Sequence, residues 1–171
     1  MAQGTAGPTV VVSTPTPLWA ALFLRDLWGL DDAGDIPRCS PTPSFRGVRR
    51  SPTNAELLAV ESVLRSGVDV VAPLEAVDVV FAAIHSVGEV ESWREWSHAT
   101  KGTVQRLASP LQSSPSWQVR ADLAAHRPSL QQIVVLPVAD NYAATHGQAL
   151  AVALTVYSNA ERLRDSIRSV N

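Results

Sequence analysis

The stretch Gln131–Val170 reads QQIVVLPV, ADNYAATHG, QALAVALTVYS and NAERLRDSIRSV in succession. Ile133–Leu136 is an unbroken apolar run, the pattern of a strand buried on both faces. Leu150, Val152, Leu154 and Val156 alternate with smaller residues and Thr155, a period of two that predicts a second strand reaching Tyr157. Between them, Asp140–Gly147 is rich in turn formers and predicts the loop of a long hairpin. Ser158 and Glu161 have capping-box spacing, so a helix should begin there. The expected class is α+β. A small, mainly antiparallel sheet holds Ile133–Val138 and Leu150–Tyr157, joined by Val10–Ser13, with helices over one face and a helix-rich front half. A central strand at Val68–Ala72 would instead make the fold α/β.

With 171 residues, 46% of them apolar, the chain suits one domain with a real core. A net charge of −2 gives no footprint for nucleic acid or an anionic membrane, and neither partner is expected. One cysteine, Cys39, excludes an intrachain disulfide. Lys101 is the sole lysine among 14 basic residues, a bias of GC-rich, bacterial coding. MAQGTAGP lacks the basic and apolar regions of a signal peptide, so a cytoplasmic location is expected.

Working back towards the N-terminus, residues 1–8 read as a flexible lead-in. Thr16-Pro17 predicts a helix start, with Trp19, Leu22, Phe23, Leu27 and Leu30 at helical spacing. Only Arg25 and Asp26 are charged there. Asp31–Pro52 carries four prolines and reads as a long loop. Thr53 and Glu56 form a capping box before a helix that Gly67 stops. Pro73 opens another helix, which ends at Gly88. Glu89–Thr100 reads as a polar helix broken by Lys101-Gly102, and Ser114 caps a helix that Arg127-Pro128 closes.

The passage from SSPSWQVRADLAAHRPSLQQIVVLPV through Gly147 to GQALAVALTVYS and its helix resembles the end of GAF-type sensory domains. The resemblance spans about residues 110–171, a pattern-level extent. Ala151 stands where that family carries a second glycine. The resemblance implies a noncatalytic sensory or regulatory module that binds a small ligand or a partner protein, and it leaves ligand and cofactor unidentified.

Residue chemistry adds candidates. Asp140, Asn141, Tyr142, Thr145 and His146 crowd the expected hairpin loop, a place where rigid strands present functional groups. Asp140, Asn141, Tyr142 and His146, with Tyr157 and Trp117, are the expected ligand-binding residues; the other tryptophans default to core. The apolar helix 18–30 suggests an adaptor that docks a homo-oligomeric or other protein partner through Trp19, Phe23 and Leu27. His85 with Asp78 and Glu75, or His126 with Asp122, could serve a small enzyme, although no nucleophile is placed beside either. Glu91, Glu95 and His98 have the spacing of half a di-iron site without its second half, so no metal is expected. Arg46, Arg49 and Arg50 form the one basic cluster, without the aromatic residues that bind nucleic acid.

Overall fold

The computed structural model describes residues 10–30, 35–47, 50–67, 72–107, 116–139 and 141–169. These form seven helices and a four-stranded mixed sheet, an α+β fold with a helical front half. The strands are β1 (Val11–Ser13), β2 (Gln132–Leu136), β3 (Ala143–His146) and β4 (Ala149–Ala153). The helices are α1 (Thr16–Trp28), α2 (Asn54–Ser66), α3 (Leu74–Ser86), α4 (Val90–Leu107), α5 (Ser116–His126), α6 (Leu154–Tyr157) and α7 (Ala160–Ser169).

The sheet corrects the hairpin expectation. Its order is β1-β2-β4-β3, with β1–β2 and β2–β4 parallel and only β3–β4 antiparallel. The cause lies inside the expected loop. Ala143–His146 is itself a strand, folded onto β4 through the two-residue turn Gly147-Gln148, where Gly147 has φ 53°. β3 takes one edge of β4 and leaves the other to β2, which must then lie parallel. Ile133, Val134, Val135 and Leu136 are all fully buried, as are Ala151, Val152 and Ala153. Both faces of the sheet are therefore covered, not one. Residues 68–71, where a further strand was considered, lie outside the described residues, as do residues 1–8, Ser114, Arg49 and Asp140.

Helix α1 is the centre of the helical layer. Leu18 to Leu24 are all at most 2% exposed, and α1 packs on α2, α3 and α4. Each large side chain buried there contributes about 1.5–3 kcal/mol. Trp19 also ties α1 to the sheet, donating its indole N–H to the Val135 carbonyl at 3.1 Å. Phe23 meets Trp93 and Trp96 of α4 with ring centroids 5.5 and 5.7 Å apart. The helix begins one residue earlier than the sequence suggests, with Pro15 as N-cap, and ends on Gly29 in the left-handed region.

Helix α4 runs straight through Lys101-Gly102, where a break was expected. An interior glycine costs about 1 kcal/mol, which the buried side chains of Thr100 and Val104 on either side offset. Strand β4 stops at Ala153, whose N–H donates to the Tyr142 carbonyl at 2.8 Å. The chain then turns into α6, which buries Val156 and Tyr157, so Leu154–Tyr157 is not strand. Asn159 rather than Ser158 caps α7: its side chain accepts from Glu161 and Arg162 N–H groups. The capping box at Thr53 and Glu56 is present as expected.

Candidate functional site

Strands β2 and β4 end together, at Leu136 and Ala153, while the parallel β1 stops two register positions short of them, at Ser13 opposite Val134. In open sheets, ligands characteristically sit outside such carboxyl ends. Here the end of β2 and β4 is walled by three segments. Residues 38–40 lie along residues 137–139: Cys39 bridges Val138, Ser40 N–H donates to the Pro137 carbonyl, and Ala139 N–H donates to the Arg38 carbonyl, both at 2.8 Å. Residues 141–142 cross to β3. The α6–α7 corner closes the third side.

Of the expected ligand-binding set, Asn141 and Tyr142 adjoin this end, where the Tyr142 carbonyl accepts from Ala153 N–H, and Tyr157 lies on α6, which packs on β2 and β4. Arg162 on α7 donates to the Asn141 side-chain oxygen at 2.9 Å, linking the loop to the helix. Tyr142 is half-buried, and burial first, then the nearby Asp35 charge, pushes its phenol pKa up. Tyr157 is fully buried, and its hydroxyl has no hydrogen-bond partner among the described residues. Burial likewise pushes that phenol up, so it stays a neutral donor. An unpaired buried hydroxyl costs about 1–3 kcal/mol.

His146 is not part of this group. It pairs with Ala149 at the far end of β4, three register positions from Ala143, or about 10 Å along the strand. Its buried Nε2 also lacks a partner among the described residues. Asp140 and the Trp117 side chain lie outside the described residues.

Trp19, Phe23 and Leu27 are at most 2% exposed. The docking surface expected on residues 18–30 is thus corrected: the helix is apolar because it is the core.

The proline-rich segment is the second built feature. It is the stretch with fewest helical or strand residues, yet residues 35–47 form a strap gripped by carboxylates from two places. Asp26 accepts from Cys39 N–H at 2.8 Å and pairs with Arg38 at 3.3 Å. Its neighbour Arg25, 2% exposed, donates to the Ile36 and Pro37 carbonyls at 2.5 and 2.6 Å. Further along, Glu89, 1% exposed, accepts from Arg46 and Gly47 N–H groups at 3.2 and 2.5 Å. Burial pushes the Glu89 carboxyl up, but hydrogen bonds from Ser92, Gly47 and Arg46 outweigh it and leave the pKa lowered. Between these grips Trp96 donates to the Pro41 carbonyl at 2.7 Å, and Phe45 packs on Phe23 with centroids 5.2 Å apart. Just past the strap, Arg50 pairs with Glu56, which Thr53 N–H also reaches at 2.8 Å.

These pairings account for Arg46 and Arg50 of the basic cluster. Arg46 is bound to Glu95 at 2.6 Å and Arg50 to Glu56, so both are neutralised within the chain rather than offered to phosphate. The sequence held one signal for the strap: Arg25 and Asp26 are the only charges in an otherwise apolar helix, and charges in such a place require partners. Nothing local announced Glu89 or Arg162.

The remaining candidates are dispersed. His85, Asp78 and Glu75 are exposed on α3. His126 is exposed, its Nδ1 lying 3.1 Å from the Asp122 backbone carbonyl, while the Asp122 carboxylate pairs with Arg168 at 2.7 Å. The Asp122–His126 pair expected from the spacing is therefore not made. Glu91, Glu95 and His98 are exposed, and no group of three metal-binding side chains occurs among the described residues. Cys39 is buried; burial first, then Asp26, pushes its thiol pKa up, which suppresses the reactive thiolate. Among the described residues no helix is long and apolar enough to cross a membrane.

No protein-family model, curated protein or solved structure matches the chain.

Proposed function

We propose that the chain is a noncatalytic regulatory module that binds a small ligand at the carboxyl end of β2 and β4. The observation that carries this reading is Tyr157, a fully buried phenol whose hydroxyl has no partner among the described residues. Native interiors rarely leave such a group unmatched, and a bound ligand or ordered water is the usual completion. Tyr142, Asn141 and Arg162 supply polar groups around the same corner, and the α6–α7 turn offers a route by which occupancy would change the position of a helix. The GAF-like sequence pattern of residues 110–171 supports a sensory role over a catalytic one.

The test is a thermal-shift screen with nucleotides, small carboxylates and aromatic metabolites, run on wild type and Tyr157→Phe. At least one class should raise the wild-type Tm, and the variant should lose most of that rise while keeping its fold. If no compound moves the wild type and Tyr157→Phe is simply more stable, the hydroxyl is an uncompensated defect and the ligand-binding reading fails.

A further inference from the structure

Tyr157 is 0% exposed, so nothing from solvent reaches its hydroxyl unless a covering segment moves. Three segments border the carboxyl end of β2 and β4, and they are held very differently. β3 pairs with β4 at four register positions, and the Tyr142 carbonyl accepts a further bond from Ala153 N–H. The α6–α7 corner carries Tyr157 itself and is fixed by Leu163 and Ile167, both fully buried. Residues 38–40 meet the sheet end through one pair, Cys39 with Val138, and the two backbone hydrogen bonds that flank it. Their neighbourhood is otherwise tied by two adjacent side chains of α1. Arg25 donates to the Ile36 and Pro37 carbonyls, and Asp26 accepts from Cys39 N–H and pairs with Arg38. Residues 41–47 are anchored separately, by Trp96, Phe23 and Glu89.

We infer, resting on the ligand-binding reading of Tyr157, that residues 35–40 are the gate of that site, latched by Arg25 and Asp26 and pivoting on the anchored residues 41–47. The cost of opening differs at each wall. Lifting β3 breaks a ladder, and lifting the α6–α7 corner uncovers apolar core. Of residues 35–40 only Cys39 is buried, so lifting them uncovers little. The bonds they lose on α1 belong to charged groups, which water then hydrates, and Arg25 and Asp26 keep their own pair at 3.0 Å. A buried ion pair stabilises little relative to apolar residues of the same volume, and its best-attested use is in a switch. The gate adjoins Tyr142 at its first residue, since the Asp35 charge acts on that phenol. Segments that open for ligands are drawn from the least stable parts of a fold, those with few buried apolar contacts.

Cys39 is the only cysteine, which allows the gate to be locked. Cys39 and Val138 form a non-hydrogen-bonded antiparallel pair, whose Cα atoms lie about 4.5 Å apart, within the span of a disulfide. Val138→Cys, once oxidised, should therefore fasten residues 38–40 to the sheet. The probe is N-acetylimidazole, which acetylates accessible phenols, and peptide mass mapping reads the two tyrosines separately. The oxidised chain should acetylate Tyr157 about tenfold more slowly than the same chain reduced and desalted. Tyr142, already half-exposed, should change far less. In wild type, acetylation of Tyr157 and the reaction of Cys39 with dithiobis(nitrobenzoate) should both stay level in urea below the unfolding transition, the mark of a local opening. Equal Tyr157 rates in the locked and reduced chains overturn the inference. So does a wild-type rate that climbs with urea as steeply as global unfolding, because only the unfolded chain would then expose the hydroxyl. Neither measurement uses a ligand. A lock that shields Tyr157 beside an empty thermal-shift screen leaves the gate and removes the ligand, whereas a ligand found without shielding by the lock removes the gate alone.

Discussion

Replacing Glu56 with glutamine isolates the clasp that follows the strap. Glutamine keeps the volume and can still accept from Thr53 N–H, so what is lost is the charge that meets Arg50. The Arg50 guanidinium, with Thr53 N–H and hydroxyl assisting, holds the Glu56 carboxyl down from its ordinary 4.5 to about 2, against the opposing effect of burial. By linkage such a depression corresponds to about 3 kcal/mol of stability at neutral pH. Arg50 is 35% exposed, and solvent screening reduces this to about 1.5–2 kcal/mol. The sign is that of a depressed carboxylate. The contribution is complete above the unfolded value near 4.5 and is lost as pH falls towards about 2. Urea denaturation of wild type and Glu56→Gln between pH 7 and pH 3 reads it directly, because every other carboxylate cancels in the difference. The gap should be about 1.5–2 kcal/mol at pH 7, or roughly 4–8 °C in Tm. By pH 3 it should shrink to roughly two fifths, since the unfolded chain is then protonated while most folded molecules are not. A gap below about 0.5 kcal/mol at pH 7, the size of an ordinary surface substitution, would refute the reasoning. A gap that keeps its full size at pH 3 would do the same, because the loss would then be one of shape and not of charge.

Asp26→Asn strands the buried Arg25 charge and weakens the grip on Cys39 N–H. We expect a loss of about 3–5 kcal/mol in chemical denaturation, and a smaller loss if Arg25 is replaced by methionine in the same chain. A Cβ at Gly47 would meet Glu89 Oε1 at 2.9 Å and the Val87 carbonyl at 3.1 Å. Gly47→Ala should therefore cost about 1–3 kcal/mol, with the rise in fluorescence of the neighbouring tryptophans tracking detachment of the strap. Tyr157→Phe removes an unpaired buried hydroxyl, so the ligand-free protein should match or exceed wild type in a calorimetric melt. A loss above about 1 kcal/mol, the net worth of an ordinary hydrogen bond, would mean that the hydroxyl already has a partner.

Local chemistry made several elements legible. The capping box at Thr53 and Glu56, the stop at Gly67, the proline that opens α3 and the apolar run of β2 each follow from residues within a few positions of one another. The candidate site was legible in part. Asn141 and Tyr142 stood out as loop residues beside strands, and Tyr157 as an aromatic at a predicted strand end. Arg162 did not, because its role depends on a contact 21 positions away. The alternation through Tyr157 misled because α6, a single turn, buries Val156 and Tyr157 side by side, a pattern that a strand's period of two does not describe.

By itself, then, the sequence determined that the chain forms helices in its front half and strands near its end, because propensity, capping and periodicity act over one or two turns. Only the tertiary structure decided how those pieces are used. β2 and β4 lie parallel because Ala143–His146 occupies the other edge of β4, a competition between distant hydrogen-bonding edges that no local pattern records. Helix α1 looked like a docking surface and is the core, since an apolar face says that it must be covered and not by what. The proline-rich segment looked unstructured and is held, because the carboxylates of Asp26 and Glu89 reach its backbone N–H groups from 13 and about 43 positions away.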